Sequence, residues 1–407
     1  MAEKIAIIGA GAAGLVAAIT AAKRGREVHL FEKNPQPAKK ILASGNGRCN
    51  ISNTDLTLKH YHGNNPQFVQ KALRYFDFQK MQNFFRSIGL LLQVKSDGRA
   101  YPLSNEARSV YDLLIMQARL SGVVIHTGRK ITQTERNADT GTFILDGIPF
   151  SKLLIATGSP AAPQLGADNS GLDLARNLGH TILPCYPTLV GLHLQSPSLS
   201  RVAGVKHHAK ITLLIEGKKE YDTSGDILFT RYGISGFGIL DISTYASAAL
   251  LRGHNITLSL DMLPEFDRNG LVSQLSSLAK ALPDYPVTTL LEGILPSKIV
   301  SPLLQSAGVS ADLPARSLTP KAIRALAHTI HNWRFRVTDT HGYKHAETSG
   351  GGVDTSEIDP FTFESKIVKD LFFAGEVIDI VGDRGGYNLH FAWASGYLAA
   401  LGMTKKD

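Results

Sequence analysis

Three glycines near the start of the chain constrain its fold more than any other feature. Gly9, Gly11 and Gly14 follow the apolar run Lys4–Ile8, and Glu32 closes a second apolar run. This spacing is typical of the strand–turn–helix–strand unit of a dinucleotide-binding fold. There the first glycine permits a sharp turn, the second leaves room for a pyrophosphate, and the third lets the helix pack on the sheet, while the acid binds a ribose. The sequence therefore predicts a dinucleotide site, with the first helix amides directed at the phosphates.

The composition is that of an ordinary globular chain. Its 407 residues are 43% hydrophobic and 19% charged, which predicts two or three domains and no membrane-spanning segment. The two cysteines, Cys49 and Cys185, form no CxxC pair. Their placement argues against a disulfide framework or a cysteine zinc site and fits a cytoplasmic protein. The formal net charge of +8 permits an anionic partner such as RNA without demonstrating one.

Hydrophobic patterning along the chain indicates an insertion within the cofactor domain. Residues 1–35 read as β-α-β, the sequence from Leu189 is β-rich, residues 265–325 are helical, and strand-like sequence returns at Trp333–Thr338. We therefore expect a β-domain that carries a small helical subdomain. The predicted boundaries are 1–188 and 348–407 for the cofactor domain, 189–264 and 327–347 for the β-rich insertion, and 265–326 for the helical subdomain.

A second glycine-rich helix start lies near the end of the chain. The strand Asp370–Ala374 leads into Gly375 and Glu376, and a loop then reaches Gly385-Gly386-Tyr387-Asn388, where a helix begins. Amides at such a helix start can meet the N1–C2=O edge of an isoalloxazine, where negative charge gathers on reduction. This feature favours a resident flavin over a resident nicotinamide. Because there is no second GxGxxG, NAD(P)H is expected only as a transient electron donor.

Candidates for chemistry follow the first unit. Arg48, Cys49 and Asn50 lie where disulfide reductases of similar fold place a redox cysteine pair, but the second cysteine is missing here. Cys49 could donate a proton, with the pKa of its thiol tuned by Arg48, or the segment could only shape the loop around the cofactor. Lys40 either neutralises a pyrophosphate or holds the loop. The histidines do not keep metal-ligand spacing with acidic partners, so no metal site is predicted.

Taken together, these segments resemble one known family, the YhiN-like NAD(P)/FAD-dependent oxidoreductases. The resemblance runs over nearly the whole chain and includes the specific motifs Ser-Gly-Asn-Gly-Arg-Cys-Asn and Gly-Gly-Tyr-Asn-Leu. The segments that carry it are Ile7–Gly14, Lys40–Asn53, Asp97–Pro102, Gly225–Ser235, Thr348–Ser356 and Ala374–Gly396. The chain departs from the family pattern at Ser159, Asp383, Arg384 and His390, positions that the resemblance places at the flavin rim.

The resemblance implies an α/β fold: a Rossmann-type FAD-binding domain with an inserted β-barrel-like domain and a small helical subdomain. It also implies non-covalent FAD and the reduction of carbon–carbon double bonds conjugated to a carbonyl. One branch of the family acts on steroid-like enones, and another makes dihydrouridine in large-subunit ribosomal RNA. The residues expected to contact FAD are Gly9, Gly11, Ala12, Ala13, Gly14, Glu32, Lys33, Lys40, Ser44, Gly45, Asn46, Arg48, Cys49, Asn50, Thr157, Gly158, Gly375, Glu376, Asp379, Gly385, Gly386, Tyr387, Asn388 and Leu389.

Basic residues of the insertion raise the question of an RNA partner. Tyr232, Trp333 and Phe335 are interleaved with them, so the region could hold a phosphate backbone and stack a base, or it could be a solvated basic surface. The basic residues are Arg201, Lys206, Lys210, Lys218, Lys219, Lys321, Arg324, Arg334, Arg336 and Lys344. Four functions stay open: an rRNA uridine reductase, which we favour, a small-molecule enone reductase, an RNA-binding protein with structural FAD, and, as the weakest, a pyridine-nucleotide dehydrogenase without flavin. We expect a monomer.

Overall fold

The computed structural model describes residues 3–137 and 139–405. The chain forms two compact units. The first combines both ends of the chain, up to Tyr186 and from Thr348 onward, and the second is Pro187–Glu347. No helix within the described ranges has the length and hydropathy needed to cross a membrane.

The first unit begins with the β-α-β segment that the glycine spacing predicts. Its strands up to the second unit are β1 (Lys4–Ile8), β2 (Glu27–Glu32), β3 (Ser52–Asn53), β4 (Tyr61–His62), β5 (Leu92–Val94), β6 (Arg99–Pro102), β7 (Val124–Thr127), β8 (Glu135–Arg136), β9 (Phe143–Leu145), β10 (Ile148–Phe150), β11 (Lys152–Ile155) and β12 (Ile182–Thr188). Its helices in the same part of the chain are α1 (Ala12–Lys23), α2 (Lys39–Ala43), α3 (Val69–Tyr75), α4 (Phe78–Ser87), α5 (Ala107–Leu120) and α6 (Ser170–Asn177).

The second unit is a closed barrel with helices. Its strands are β13 (Leu192–Gln195), β14 (Lys206–Ile215), β15 (Lys218–Phe229), β16 (Gly233–Ser235), β17 (Ile256–Asp261) and β18 (Trp333–Thr340), and they close in the order β13-β16-β15-β14-β17-β18. Its helices are α7 (Leu199–Val202), α8 (Phe237–Leu251), α9 (Arg268–Ala281), α10 (Val287–Glu292), α11 (Ser297–Ala307) and α12 (Pro320–His331).

One hydrophobic core runs through the barrel and its helices. Leu275 of α9 and Leu326 of α12 belong to the same buried cluster as Ile211 and Leu258 of the barrel. Helix α8 lies in a stretch that the sequence pattern predicted to be β-rich. It forms because the stretch is rich in alanine, leucine and serine without proline, a composition that permits a helix between two strands.

The chain returns to the first unit through β19 (Thr348–Val353), β20 (Leu371–Phe373), β21 (Val381–Gly382) and α13 (Tyr387–Met403). The principal sheet has the order β20-β11-β1-β2-β7, and its neighbouring strands all pair in parallel. The carboxyl ends of these strands therefore meet at one edge, where open α/β sheets bind their ligands. The predicted fold class, a Rossmann-type unit with an inserted barrel and a helical part, is confirmed.

Helices α1 and α13, which begin at the two glycine-rich turns, pack closely against each other. A Cβ added to Gly396 of α13 would lie 2.2 Å from the carbonyl oxygen of Ala13 in α1. A Cβ on Gly375, before α13, would lie 3.0 Å from the Ala13 Cβ. These small residues bring the two helices and the loop between β20 and β21 together at the ligand-binding edge of the sheet.

Candidate active site

In the first glycine-rich turn, contacts within the protein require glycine at two positions but not at the third. Gly9 has a φ of 103°, and a Cβ there would lie 2.4 Å from the oxygen of Ala156. A Cβ on Gly14 would lie 1.9 Å from the oxygen of Gly9. A Cβ on Gly11, in contrast, would meet no atom within 4 Å. The space beside Gly11 is therefore open, as a pyrophosphate site requires.

Helix α1 begins at this open space without a capping side chain. Gly11 is the N-cap residue, and the first turn contains no acidic residue. The first amides of a helix have no partner within the helix, so those of Ala12, Ala13 and Gly14 can bind an anion, which the helix dipole also favours.

Glu32 is held at the end of β2, next to this turn. Its carboxylate is 8% exposed. One oxygen accepts a hydrogen bond from the Ala10 amide at 3.1 Å, and the other accepts bonds from the backbone and side-chain nitrogens of Asn34 at 2.9 and 2.8 Å. A carboxylate oxygen has two lone pairs, so the held carboxylate can also accept from a ribose hydroxyl.

Lys33 is paired with Asp168, an acid that the sequence reasoning missed. Their side chains are 2.6 Å apart, and Lys130 lies 2.9 Å from the same carboxylate. Burial opposes ionisation of Asp168, but hydrogen bonds from Lys33, Ser170 and Lys130 outweigh it and lower the pKa of the carboxyl. The Lys33 ammonium is thus balanced by a carboxylate within the protein.

The loop before Asn50 has an unusual backbone. Gly45, Asn46, Gly47 and Cys49 all have positive φ, between 55° and 80°, a region that non-glycine residues rarely adopt. Asn50 follows directly, and its side-chain oxygen is buried without a hydrogen-bond partner among the described residues. Such an unsatisfied buried atom is costly, and a cofactor donor would satisfy it. Ser44 instead donates to the Ile41 oxygen at 2.7 Å.

The predicted effect of Arg48 on Cys49 is wrong. The Cys49 side chain is fully buried, and burial raises the pKa of its thiol to about 12, with only a hydrogen bond to Ser44 acting in the other direction. Arg48 is exposed, and its guanidinium lies 5.4 Å from the ring centroid of Tyr101. The two adjacent side chains therefore point into different surroundings, which their positions in the sequence could not reveal.

The second glycine-rich turn also ends in an uncapped helix. Gly385 and Gly386 have φ of 133° and 101°, and a Cβ on Gly386 would lie 2.6 Å from the backbone of Ser52. No side chain caps α13, and its first turn contains no acid. Leu389 lies within this first part of α13 and is partly buried. The backbone amides at this turn can meet a partly negative ligand edge.

Asn388 uses its side chain within the protein. Its amide nitrogen donates to the Gly382 oxygen at 2.7 Å, and its oxygen accepts from the Gly382 amide at 2.7 Å. The side chain thereby closes the loop between β21 and α13. Tyr387 is 5% exposed and stacks on His60 with ring centroids 4.2 Å apart.

Lys40, Glu376 and Asp379 converge on the carboxyl edge of the sheet. Lys40 and Glu376 are 2.7 Å apart, and the other Glu376 oxygen accepts from the Ser349 amide at 3.0 Å. A Cβ on Gly158 would lie 4.0 Å from the Glu376 carboxylate. Asp379 is 3% exposed, and burial raises the pKa of its carboxyl. The Asp379 carboxylate is therefore fixed inside the protein and is not a solvated loop charge.

The Thr157 hydroxyl is the other predicted contact that is buried without a partner. Its oxygen forms no hydrogen bond among the described residues, and a Cβ on Gly171 would lie 1.8 Å from it. The side chain thus packs on the start of α6. The backbone of Thr157 lies next to Gly9 at the glycine-rich turn.

A histidine–carboxylate network, which nothing in the sequence spacing indicates, adjoins the second glycine-rich turn. Asp383 binds His60 at 2.9 Å and His62 at 2.6 Å, and Asp55 binds His60 at 3.1 Å. Burial disfavours the charged imidazole, but hydrogen bonds to the two carboxylates raise the pKa of His60. Strands β4 and β21 pair with each other, which brings these groups together although they are far apart in the chain.

The predicted rim position of His390 is wrong. Its side chain is fully buried, with one ring nitrogen 2.9 Å from the Ser52 hydroxyl and the other 2.9 Å from the Phe76 oxygen. Burial lowers the pKa of the imidazole to about 4. Ser159 is likewise buried. Both departures from the family pattern therefore concern packing beneath the site.

Strand β18 separates the aromatic and basic residues that the sequence analysis grouped. Trp333 and Phe335 are 3% and 6% exposed and lie in the core of the second unit, whereas Arg334 and Arg336 are exposed. Trp333 and Phe335 cannot stack on a base, so that part of the RNA prediction is wrong. Tyr232 is partly exposed but stacks on His341 with ring centroids 3.6 Å apart. Among the described residues, no group of three potential ligands could hold a metal ion.

The family can be assigned from the whole chain. A family model described as the HI0933-like protein Rossmann domain matches residues 3–402. The chain belongs to this family. The predicted resemblance is thereby confirmed.

Two relatives are similar to this HI0933-like chain over nearly their whole length. The 3-dehydro-bile acid delta(4,6)-reductase of Clostridium scindens is 35% identical over 408 residues, which are 99% of this chain and 100% of that protein. The ribosomal RNA dihydrouridine synthase of Haemophilus influenzae is 31% identical over 408 residues, 98% of each chain. Among solved structures, a 3-ketosteroid delta1-dehydrogenase from Sterolibacterium denitrificans has a TM-score of 0.50 at 10% identity, with 99% of each chain covered. That likeness concerns the fold alone.

Proposed function

We propose that this protein is an FAD-dependent reductase that acts on a carbon–carbon double bond conjugated to a carbonyl. The observation that carries the proposal is the pair of uncapped helix starts, α1 and α13, packed together at the carboxyl edge of one parallel sheet. A dinucleotide alone requires only the first of these helix starts. In FAD, the flavin at the other end of the dinucleotide would be the ligand of the second helix start, that of α13.

The residues around the two glycine-rich turns can be assigned to successive parts of FAD. The α1 amides from Ala12 would hold the pyrophosphate, and Glu32 the ribose next to the adenine. Asn50, with its unsatisfied oxygen, would accept a hydrogen bond from FAD. The Lys40–Glu376 pair would contact the polar chain between phosphate and flavin. When bound, FAD supplies the hydride for the reduction.

The protein would contribute orientation and charge to the reaction. The amides at the start of α13 favour negative charge at the ligand edge they meet. Burial raises the pKa of the Cys49 thiol to about 12, which makes the thiol a weak proton donor. We therefore assign Arg48, Cys49 and Asp379 to shaping and holding the site. NAD(P)H is proposed as the transient electron donor.

For the substrate we propose a uridine in large-subunit ribosomal RNA. In uracil, as in an enone, the carbonyl can hold the negative charge that develops when hydride adds to the C=C bond, and an acid then protonates the neighbouring carbon. The name of the Haemophilus influenzae relative, the net charge of +8 and the exposed Arg334 and Arg336 support this choice. The base would have to leave its stack to reach the site.

A small-molecule enone is the second candidate. The observation that favours it is the 35% identity to a 3-dehydro-bile acid delta(4,6)-reductase over 99% of this chain. In that case the net charge has no part in substrate binding.

One experiment separates the candidates. The purified protein is reduced without oxygen and mixed with large-subunit rRNA from cells that lack the gene, or with a 3-oxo-Δ4 steroid, while flavin absorbance and product mass are followed. We expect flavin reoxidation and one new dihydrouridine with rRNA. Reoxidation by the steroid alone would replace the RNA substrate with the second candidate. A bound flavin that neither compound reoxidises would favour an RNA-binding protein with structural FAD, and a colourless protein would refute the flavin.

A further inference from the structure

Two half-exposed aromatic rings lie side by side on the first unit. Tyr75, the last residue of α3, is 46% exposed, and Phe361, in the turn before β20, is 47% exposed. Their ring centroids are 6.2 Å apart in an edge-to-face arrangement. Single exposed apolar side chains are ordinary on protein surfaces, but adjacent large rings that stay in water mark contact sites more often.

Two lysine ammonium groups lie next to these rings. The Lys71 ammonium lies 4.8 Å from the centroid of Phe361. The Lys80 ammonium lies 6.0 Å from the centroid of Tyr75 and donates one hydrogen bond to the Tyr75 backbone oxygen at 2.7 Å, which leaves its other protons for a ligand. Lys71 and Tyr75 are four residues apart on α3 and so share one face of the helix. Arg74, which precedes Tyr75 in the chain, is exposed.

In the described part of the chain, nearby acids form no ion pair with these cations. Among residues 3–137 and 139–405, none of the ion pairs involves Lys71, Arg74 or Lys80. The Asp77 carboxylate accepts a hydrogen bond from the Lys80 amide at 2.8 Å and caps α4. The Asp359 carboxylate accepts from the Phe361 amide, also at 2.8 Å. Both carboxylates keep their negative charge, so three cations stand beside two anions and the surface has a small positive excess.

We propose that Lys71, Arg74, Tyr75, Lys80 and Phe361, here called the α3 surface, bind single-stranded RNA. Bases stack on the two rings, and the cations meet the phosphates. Stacking on an aromatic ring accepts any base and contributes about 1–3 kcal/mol for each one, while each neutralised phosphate makes binding depend on salt. An acidic peptide would use the cations but has no reason to use the rings. The proposal rests on the proposed RNA substrate and names a surface that would hold a single-stranded part of that RNA.

The test uses the full-length protein with bound flavin and a fluorescent single-stranded fragment of large-subunit rRNA, with affinity measured by anisotropy. Tyr75→Ala with Phe361→Ala is expected to weaken binding at least tenfold. Tyr75→Phe with Phe361→Tyr keeps the rings and should bind as the wild type does. Tyr285→Ala is the matched control, since Tyr285 is 47% exposed, belongs to the second unit and has no cation over its ring among the described residues. Thermal denaturation and flavin content confirm that each variant is folded.

The contribution of the cations can be measured separately, from the salt dependence of RNA binding. Lys71→Ala and Arg74→Ala should each reduce the slope of log affinity against log salt by about 0.7, the value for one phosphate of a single strand. Polyglutamate should compete weakly. Competition by polyglutamate as strong as that of RNA would overturn the proposal, because charge alone would then explain binding.

The outcomes also separate this proposal from the proposed function. If the wild type binds and reduces rRNA and the double alanine variant does so equally well, the α3 surface is not the contact, while the RNA substrate stands. If the wild type neither binds nor reduces rRNA, both fail. A double alanine variant that loses RNA binding but keeps its flavin and its NAD(P)H oxidation rate supports the proposal.

Discussion

Gly11 and Gly14 provide the sharpest test of the cofactor site. Substitution by alanine should weaken FAD binding at Gly11 and should lower the stability of the protein at Gly14. A methyl group on Gly11 enters open space, since its Cβ would meet no atom within 4 Å. Gly11 has φ of −87° and ψ of −162°, which alanine can adopt. A methyl group on Gly14 would collide with the Gly9 oxygen at 1.9 Å.

The expected magnitudes follow from these contacts. Gly11→Ala loses some N-cap preference, about 0.5–1 kcal/mol, but restricts the unfolded chain by about 0.4–1 kcal/mol. The two effects offset each other, so the free energy of unfolding of the FAD-free protein should change by less than about 1 kcal/mol. The new methyl group occupies the phosphate space, and the Kd for FAD should rise at least tenfold, about 1.4 kcal/mol. Gly14→Ala should lower the free energy of unfolding by about 3 kcal/mol or more, because the helix must move away from the sheet.

The assay compares urea denaturation of the FAD-free variants with FAD binding followed by quenching of flavin fluorescence. Weakened FAD binding in a Gly11→Ala protein of unchanged stability would assign the open space to the pyrophosphate. Gly11→Ala with the wild-type Kd would refute the reasoning, since a group that touches the ligand could not be added without effect. A large stability loss in Gly11→Ala would contradict the open space itself.

Three further predictions concern buried and coupled groups. Cys49→Ala should keep turnover within about threefold and lose about 1 kcal/mol of stability, whereas a proton donor would cost about 100-fold or more in kcat. His390→Gln should make the stability of the protein less sensitive to acid. The pKa of the imidazole is about 4 in the folded protein and about 6.5 in the unfolded chain, so the free energy of unfolding of the wild type should fall by up to about 3 kcal/mol as pH falls from 7 to 4. Equal losses in the wild type and the variant, measured by urea denaturation, would contradict this. Asp383→Asn should lower the pKa of His60. The wild type loses stability as pH rises through the raised pKa of His60, and the variant should not show this loss. An unchanged titration of the His60 imidazole by NMR would exclude the coupling.

The sequence predicted those parts of the site that depend on local spacing. Gly9, Gly11, Gly14 and Glu32 all lie within one β-α-β unit, so the chemistry of the turn and the position of the acid are readable together. The second helix start was equally local. In both cases consecutive residues predict the same backbone feature, an open turn that is followed by uncapped helix amides.

The side-chain contacts between distant segments could not be predicted in this way. Lys40 and Glu376 are separated by 336 positions, and His60 and Asp383 by 323. Each pair forms because β4 meets β21 or because α2 lies near the end of β20, and nothing in the local pattern encodes these meetings. Cys49 adds a second reason: it has a positive φ, and its side chain is buried although that of the preceding Arg48 is exposed.

Strand β18 and helix α3 differ in how they can present rings and charges, and this difference yields a last prediction. Successive side chains of a strand point to opposite faces, so Trp333 and Phe335 are enclosed in the core while Arg334 and Arg336 face out. A barrel strand of this sequence can offer RNA its charges but not its rings. Helical spacing places Lys71 beside Tyr75, so the α3 surface can offer both.

The two regions should therefore respond differently to an RNA that lacks bases. Arg334→Ala with Arg336→Ala should weaken normal and abasic RNA equally and reduce the salt slope, because those side chains can contact only phosphates. Tyr75→Ala with Phe361→Ala should weaken normal RNA about tenfold or more and leave abasic RNA almost unchanged, since stacking requires a base. If the ring variants weakened both RNAs equally, the rings would contribute only structure, and recognition of bases would have to lie elsewhere on the protein.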